Sequence, residues 1–210
     1  MKRSYDAIAG VYDRLANIFI GKALRNAQIY LVQYIPARAK VLIAGGGTGW
    51  ILEEITKLHN TGLQIDYVDI SAGMIAKAKR RDTKQNDIRF LHQSAGENFE
   101  GKDYDVILTP FFFDNFSEAT MQAVFEKLHQ KLNQNGLWLY ADFQVAGKHR
   151  FFKEAMLFIM YIFFRAACNI EANHLPDVTG QFAKNSYQLI SSKTFKQEFI
   201  RSAVYRKRHN

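Results

Sequence analysis

Six residues have the types and spacing to do chemistry: Gly45-Gly46-Gly47-Thr48-Gly49 and, further on, Asp69. Glycine admits positive φ, and without a Cβ it lets a ligand lie against backbone N–H groups at the positive end of a helix. A tight structural turn is served by one or two glycines, and four in five residues exceed that need. Asp69 closes the stretch Leu63 to Val68, where a carboxylate is placed to accept bonds from ribose hydroxyls. Its structural alternative is to cap the following helix, a role Ser71 could also fill. Taken together, the turn and the acid point to a nucleotide-type ligand.

The elements that must position these residues follow from the pattern around them. Val41-Leu42-Ile43-Ala44 is a short, partly β-branched apolar run and reads as a strand buried on both faces. After the glycines, apolar residues at 51, 52, 55 and 58 have helical spacing. Ile65, Tyr67 and Val68 suit a second strand, followed by a helix from Gly73 to Arg81. Ile88 to His92 reads as a third strand leading into the loop Gln93-Ser94-Ala95-Gly96-Glu97, and Tyr104 to Thr109 as a fourth, halted by Pro110. A helix from Met121 to Leu132 and the turn Asn135-Gly136 lead into a fifth strand, Leu137 to Phe143. Strands alternating with helices imply a parallel, doubly wound α/β sheet. Ligands in such sheets bind beyond the carboxyl ends of the strands, where the glycine turn, Asp69, Ser94 and Thr109 would gather.

The flanks differ from this core. Residues 5 to 35 are amphipathic at helical spacing and end at Pro36. Tyr5-Asp6 and Tyr12-Asp13 lie two helical turns apart, so both tyrosines could pack a cap onto the core or close over a ligand. Ala155 to Phe164 is an uncharged run too short to cross a bilayer. It reads as a buried helix, the wall of an apolar substrate pocket, or an element in peripheral contact with a membrane. A short helical stretch begins at His174-Leu175-Pro176-Asp177, and Tyr187 to Ser191 with Glu198 to Tyr205 suggest a closing antiparallel hairpin.

Composition narrows the partners. At 210 residues, with three prolines and an apolar content of 48%, the chain fits one globular domain. One cysteine excludes an internal disulfide, offers no metal cluster and suits a reducing cytoplasm. The charge of +8 raises nucleic acid as a partner. However, the basic clusters at 77–81 and 206–208 read as a helix end and a solvated terminus, and no aromatic-basic interleaving supports it.

The parallel core, glycine turn, strand-end acid and closing hairpin resemble the class I S-adenosylmethionine-dependent methyltransferases. Val41 to Gly49 matches that family's first motif, Tyr67-Val68-Asp69-Ile70-Ser71 its second, and Tyr104 to Thr109 its strand-four motif. The opening, with Tyr5-Asp6, Tyr12-Asp13 and Gly21-Lys22, loosely resembles the cap of ubiquinone/menaquinone-type C-methyltransferases. The resemblance implies a Rossmann-like, seven-stranded mixed sheet whose last strand is antiparallel, with an N-terminal helical cap. It implies one domain over 1–210: a cap at 1–36, a cofactor-binding core at 37–145, and an aromatic-rich helix and hairpin at 146–210.

Carried over, Gly45, Gly47 and Gly49 would lie along the methionine part of S-adenosylmethionine, Asp69 would hold the ribose, and Ile70 would flank the adenine. Ser94 and Ala95 would face the adenine edge, Thr109 would sit near the methionine end, and Tyr5 and Tyr12 would serve as lid residues. The chain departs from the family at Ile43 and Ser94, where acids are common. A nicotinamide site is the rival, but its third glycine falls at Trp50, whose indole opposes close approach.

The expected activity is methyl transfer to a small hydrophobic acceptor, such as a quinone precursor or lipid, bordered by Phe111, Phe112, Phe113 and Phe116. Asp114, Asp142 and His149 are the candidate bases. The alternative is a cofactor-binding protein without transfer activity that works through a partner.

Overall fold

The computed structural model describes residues 22–145, 147, 150–151, 153–158, 161 and 172–208. Seven strands form one sheet: β1 (Lys40–Ala44), β2 (Thr61–Asp69), β3 (Gln85–His92), β4 (Tyr104–Pro110), β5 (Leu132–Phe143), β6 (Tyr187–Phe195) and β7 (Ile200–Lys207). Their order is β3-β2-β1-β4-β5-β7-β6. β1 to β5 pair in parallel, while β7 runs antiparallel to both β5 and β6. This is the α/β seven-stranded mixed sheet that the motifs imply, with the last strand reversed.

Side-chain alternation along the strands divides the core into two layers. Val41, Ile43, Ile65 and Tyr67 face one side, against α1 (Lys22–Val32) and α2 (Trp50–Leu58), through residues such as Leu31 and Leu52. Leu42, Ala44, Val68 and Trp138 face the other, against α4 (Glu118–Lys131) and α5 (Val178–Lys184), through Phe125 and Phe182. The four apolar residues of β1 are fully buried, as a central parallel strand requires. Ile43 belongs to this packing: it pairs with Tyr67 on one side and Leu108 on the other, so its side chain is spent on the core.

Several element boundaries differ from the sequence expectation. α3 (Ala72–Ala78) is capped by Ser71, whose hydroxyl accepts from the Met74 N–H, so Asp69 is not the cap. α4 starts three residues early because Ser117 caps it, accepting from the Thr120 N–H. β5 already begins at Leu132, which pairs with Tyr104 before the register shifts past Asn133–Gly136. In the hairpin β6 runs past its apolar pattern to Phe195, while β7 keeps the expected length but lies two residues later, because its pairing with β6 runs from Ile200 to Lys207.

The terminal basic cluster is not uniformly solvated. Lys207 is buried, and its Nζ donates to the His129 and Leu132 carbonyls at 2.7 and 2.9 Å, at the carboxyl end of α4. A cation there complements the helix dipole. Burial lowers its pKa, opposed by the charge of Glu126.

Elsewhere on the sheet, Asp66 on β2 is held by Arg89 Nε and Nη2, each at 2.7 Å, and by the Tyr104 hydroxyl. Burial opposes its ionisation, but Arg89, Tyr104 and Lys40 outweigh burial and hold the carboxyl below its ordinary value. A depressed carboxylate stabilises above its unfolded pKa and stops doing so as pH falls through the folded one. Because the Arg89 side chain is 45% exposed, solvent screens the pair. Asp66→Asn is therefore expected to cost about 1–2 kcal/mol at neutral pH. In urea unfolding, the gap to the parent should narrow as pH drops below about 4; a gap independent of pH would contradict this account.

Candidate functional site

The strand order reverses between β1 and β4, and the connection leaving β1 at that point is the glycine turn. The Gly45 N–H continues the β1–β2 pairing by donating to the Val68 carbonyl at 2.9 Å. φ is positive at Gly45, Gly47 and Gly49, and the turn delivers the chain into α2 at Trp50. Gly49 occupies the cap position with φ 79°, and no side chain caps the helix. A Cβ at Gly49 would lie 2.7 Å from the Ala78 Cα, so α3 packs directly on the start of α2.

Asp69 ties this turn to β2. Its Oδ2 accepts from the Gly47 N–H and its Oδ1 from the Ser71 N–H, each at 2.9 Å. Two carbonyls of the turn are held from outside: the Tyr67 hydroxyl donates to Gly47 O at 2.9 Å, and Arg81 Nε to Thr48 O at 3.0 Å. Arg81 also reaches Glu53 on α2. The basic cluster after α3 thus contributes one residue to the turn, where its sequence suggested only solvated charge. Nothing in the spacing distinguishes Arg81 from its neighbours; only the packing of α3 on Gly49 brings it there.

Ile70 and Ser94 are half-buried at the carboxyl ends of β2 and β3. His92 Nε2 lies 3.0 Å from the Ile70 carbonyl, which can only accept, so the ring carries its proton on Nε2. The Ser94 hydroxyl accepts from the Gly96 N–H, and Ala95 packs beneath with Val68 and Ala44. Gly45, Gly47, Gly49, Asp69, Ile70, Ser94 and Ala95 therefore gather around one edge of the sheet. The Thr109 side chain does not join them: it is fully buried and its Oγ1 accepts from Trp138 Nε1 at 3.0 Å. Tyr5 and Tyr12 lie outside the described residues.

On the far side of the turn, the Phe112 ring lies against Gly45, where a Cβ would stand 2.6 Å from it. Phe111 and Phe112 are half-buried. Phe113 and Phe116 instead enter the core cluster with Trp138 and Phe125, which removes two of the four phenylalanines expected to border an acceptor.

Two of the candidate bases meet here. The Asp114 N–H donates to Asp142 Oδ2 at 3.3 Å, and the Phe143 N–H to Asp142 Oδ1 at 2.9 Å. Asn115 Nδ2 donates to Asp114 Oδ1 at 2.7 Å. Burial pushes the Asp114 carboxyl up to about 7. Burial and the nearby charge of Asp114 raise Asp142 well above the ordinary carboxylate range. The two residues are on different strand ends, and no local spacing joins them. His149 lies outside the described residues.

Comparisons with known proteins agree with this geometry. Residues 42–138 match the methyltransferase-domain family model. No curated protein matches the sequence. Among solved structures, the N-methyltransferase NodS from Bradyrhizobium japonicum is similar at 11% identity and a TM-score of 0.62, over 92% of this chain and 98% of that one. The Burkholderia thailandensis 1,6-didemethyltoxoflavin-N1-methyltransferase, with its acceptor and S-adenosylhomocysteine bound, is similar at 16% identity and 0.67, over 97% and 86%. A chain of the complex between the Haloferax volcanii Trm112 methyltransferase activator and its methyltransferase is similar at 12% identity and 0.70, over all of both chains. Likeness at such identities speaks for the fold, and the family match speaks for what the fold carries. Residues 42–138, which hold the glycine turn at the reversal of the strand order, are thus similar to the methyltransferase-domain family, and the seven-stranded sheet around them has the fold of the methyltransferases it matches.

Proposed function

We propose that the protein transfers the methyl group of S-adenosylmethionine to a small, hydrophobic acceptor, a quinone precursor, lipid or similar metabolite. The observation that carries this reading is the Gly47–Asp69 hydrogen bond, which sets a backbone turn and a carboxylate side by side at the point where the sheet reverses. The donor set fits the cofactor's chemistry. Backbone groups at a helix start without a side-chain cap suit an amino-acid moiety, an acid suits a diol, and apolar Ile70 and Ala95 suit a purine.

In this reading Gly45, Gly47 and Gly49 lie along the methionine part, Asp69 holds the ribose, and Ile70, Ser94 and Ala95 surround the adenine. Thr109 contributes near the methionine end through its backbone, since its hydroxyl is engaged by Trp138. When bound, the sulfonium supplies an activated methyl group. The protein's own share is to orient the acceptor and exclude water, which together lower the barrier without covalent chemistry.

Phe111 supports an apolar acceptor wall. Its N–H is fixed on the Ala141 carbonyl at 2.7 Å and its ring packs on Phe143 with centroids 5.2 Å apart. Peripheral membrane contact belongs to the same reading and is supported by Phe151 and Phe158, which are 87% and 64% exposed. We read the chain as one domain, with a cap at 1–36, a core at 37–145 and the aromatic-rich segment and hairpin at 146–210.

Calorimetry with S-adenosylhomocysteine tests the cofactor half. The protein is expected to bind it, and Asp69→Asn to weaken binding about tenfold or more, since it removes a charge-assisted acceptor. Labelled methyl transfer to lipid extracts and small aromatic compounds tests the acceptor half. No binding at all would overturn the reading; transfer only to RNA or a basic protein would overturn the acceptor class.

A further inference from the structure

Asp114 and Asp142 stand at the carboxyl ends of β4 and β5, and Asp114 lies two residues beyond the Phe112 ring that covers Gly45. Asp142 is 2% exposed, while Asp114 is only half-buried and closes the pair on its outer side. A third group joins them. Tyr161 is 8% exposed, and its hydroxyl has no hydrogen-bond partner among the described residues. Its ring packs in one cluster with Phe143, the residue after Asp142, and with Phe111. Burial raises the pKa of its hydroxyl, and the charges of Asp114 and Asp142 raise it further. Unsatisfied buried hydroxyls are costly and call for a partner.

Among the described residues, Tyr140 on β5 and Arg201, opposite Asp142 on β7, are titratable and charged groups that face the pair. Arg201 acts on Tyr140 and Tyr205, and neither carboxyl takes part in an ion pair among the described residues. Asp142 is buried, Asp114 half-buried beside it, and the pKa of each is raised above the ordinary carboxylate range. Two carboxyls in one such site favour sharing a proton and keeping one negative charge over ionising together. The complement of that charge, beside the Phe111–Phe143 ring pair, is an N–H-bearing cation on an apolar body.

We propose that Asp114, Asp142 and the Tyr161 hydroxyl form the polar end of the acceptor site, and that the acceptor is an amine bound there through its nitrogen. This rests on the methyl-transfer reading above and narrows its acceptor. The amine arrives as an ammonium and gives one N–H proton to the carboxylate of the pair. The N–H bonding electrons stay on nitrogen as its lone pair, and the pair passes from one proton to two, later released to water. The nitrogen is then the neutral nucleophile that methylation needs, and the Tyr161 hydroxyl accepts or donates at the same nitrogen. An oxygen acid in this position would face a like charge.

The test loads the full chain with S-adenosylhomocysteine and titrates it with phenethylamine and, separately, with phenethyl alcohol, which differs only in the polar atom. The amine is expected to bind about tenfold tighter or more. Asp114→Asn and Asp142→Asn should abolish the preference, Tyr161→Phe should reduce it, and acidification that fully protonates the pair should abolish it in the parent protein. Equal binding of the two probes by the parent, or a preference that survives both asparagine variants or is indifferent to acid, overturns the proposal. S-adenosylhomocysteine binding is read in the same experiment. Its loss in the parent counts against the methyl-transfer reading, and its retention without an amine preference counts against the amine alone.

Discussion

Gly49→Ala should lower stability by about 2–4 kcal/mol and abolish S-adenosylhomocysteine binding. Two penalties combine at this position. The residue holds φ 79°, a conformation that costs an alanine about 1–2 kcal/mol. The new methyl would also lie 2.7 Å from the Cα and Cβ of Ala78, atoms that cannot rotate away. α3 must then back off α2, and with it goes Arg81, which braces the Thr48 carbonyl. Gly62→Ala is the control: φ is 91° there, but its nearest neighbour is the flexible Arg38 side chain at 3.4 Å. That variant should show the strain alone. Urea unfolding of both, with calorimetry on each, separates strain from displacement. Equal losses would mean that the contact with Ala78 is unimportant.

Trp138→Ala is the other large effect expected, about 3–5 kcal/mol. Trp138 is fully buried, stacks on Phe125 with centroids 4.6 Å apart, and meets Phe182 edge-on at 5.2 Å. Its indole N–H is also the donor to Thr109, so even Trp138→Phe should cost about 1–3 kcal/mol by stranding a buried hydroxyl. Adding Thr109→Val to Trp138→Phe should recover part of that loss, since removing both polar partners leaves nothing unsatisfied. A double-mutant cycle read by denaturant unfolding decides it: strictly additive losses would mean the hydrogen bond carries no coupling.

Much of this site could be read in the chain because its signals are local. Four glycines in one turn, apolar runs of strand length and an acid at the end of one of them place the turn and Asp69 without knowledge of the fold. The alternation of strand and helix does the same for the parallel order, and the paired strand-like runs for the reversed last strand. What could not be read depends on distant partners. Thr109 looks like a polar strand-end residue until Trp138 is seen to occupy it. Phe113 and Phe116 look like neighbours of Phe112 in function, yet the 3-10 turn at Phe113–Asn115 rotates them into the core. Lys207 carries no mark of burial, because the carbonyls that receive it belong to the end of α4. The Asp114–Asp142 contact joins residues that share no periodicity.

The position of β7 bears on how the protein is made. It leaves the ribosome after β6 yet lies between β6 and β5, pairing with β5 from Leu137 to Phe143. Until Lys207 has emerged, the nascent chain therefore holds a parallel half-sheet with an open flank, and β6 has no strand to bind. Such a flank is a template for wrong pairing. Synthesis that stalls in the hairpin should thus yield chains that aggregate or recruit chaperones, even with every residue of the glycine turn already in place.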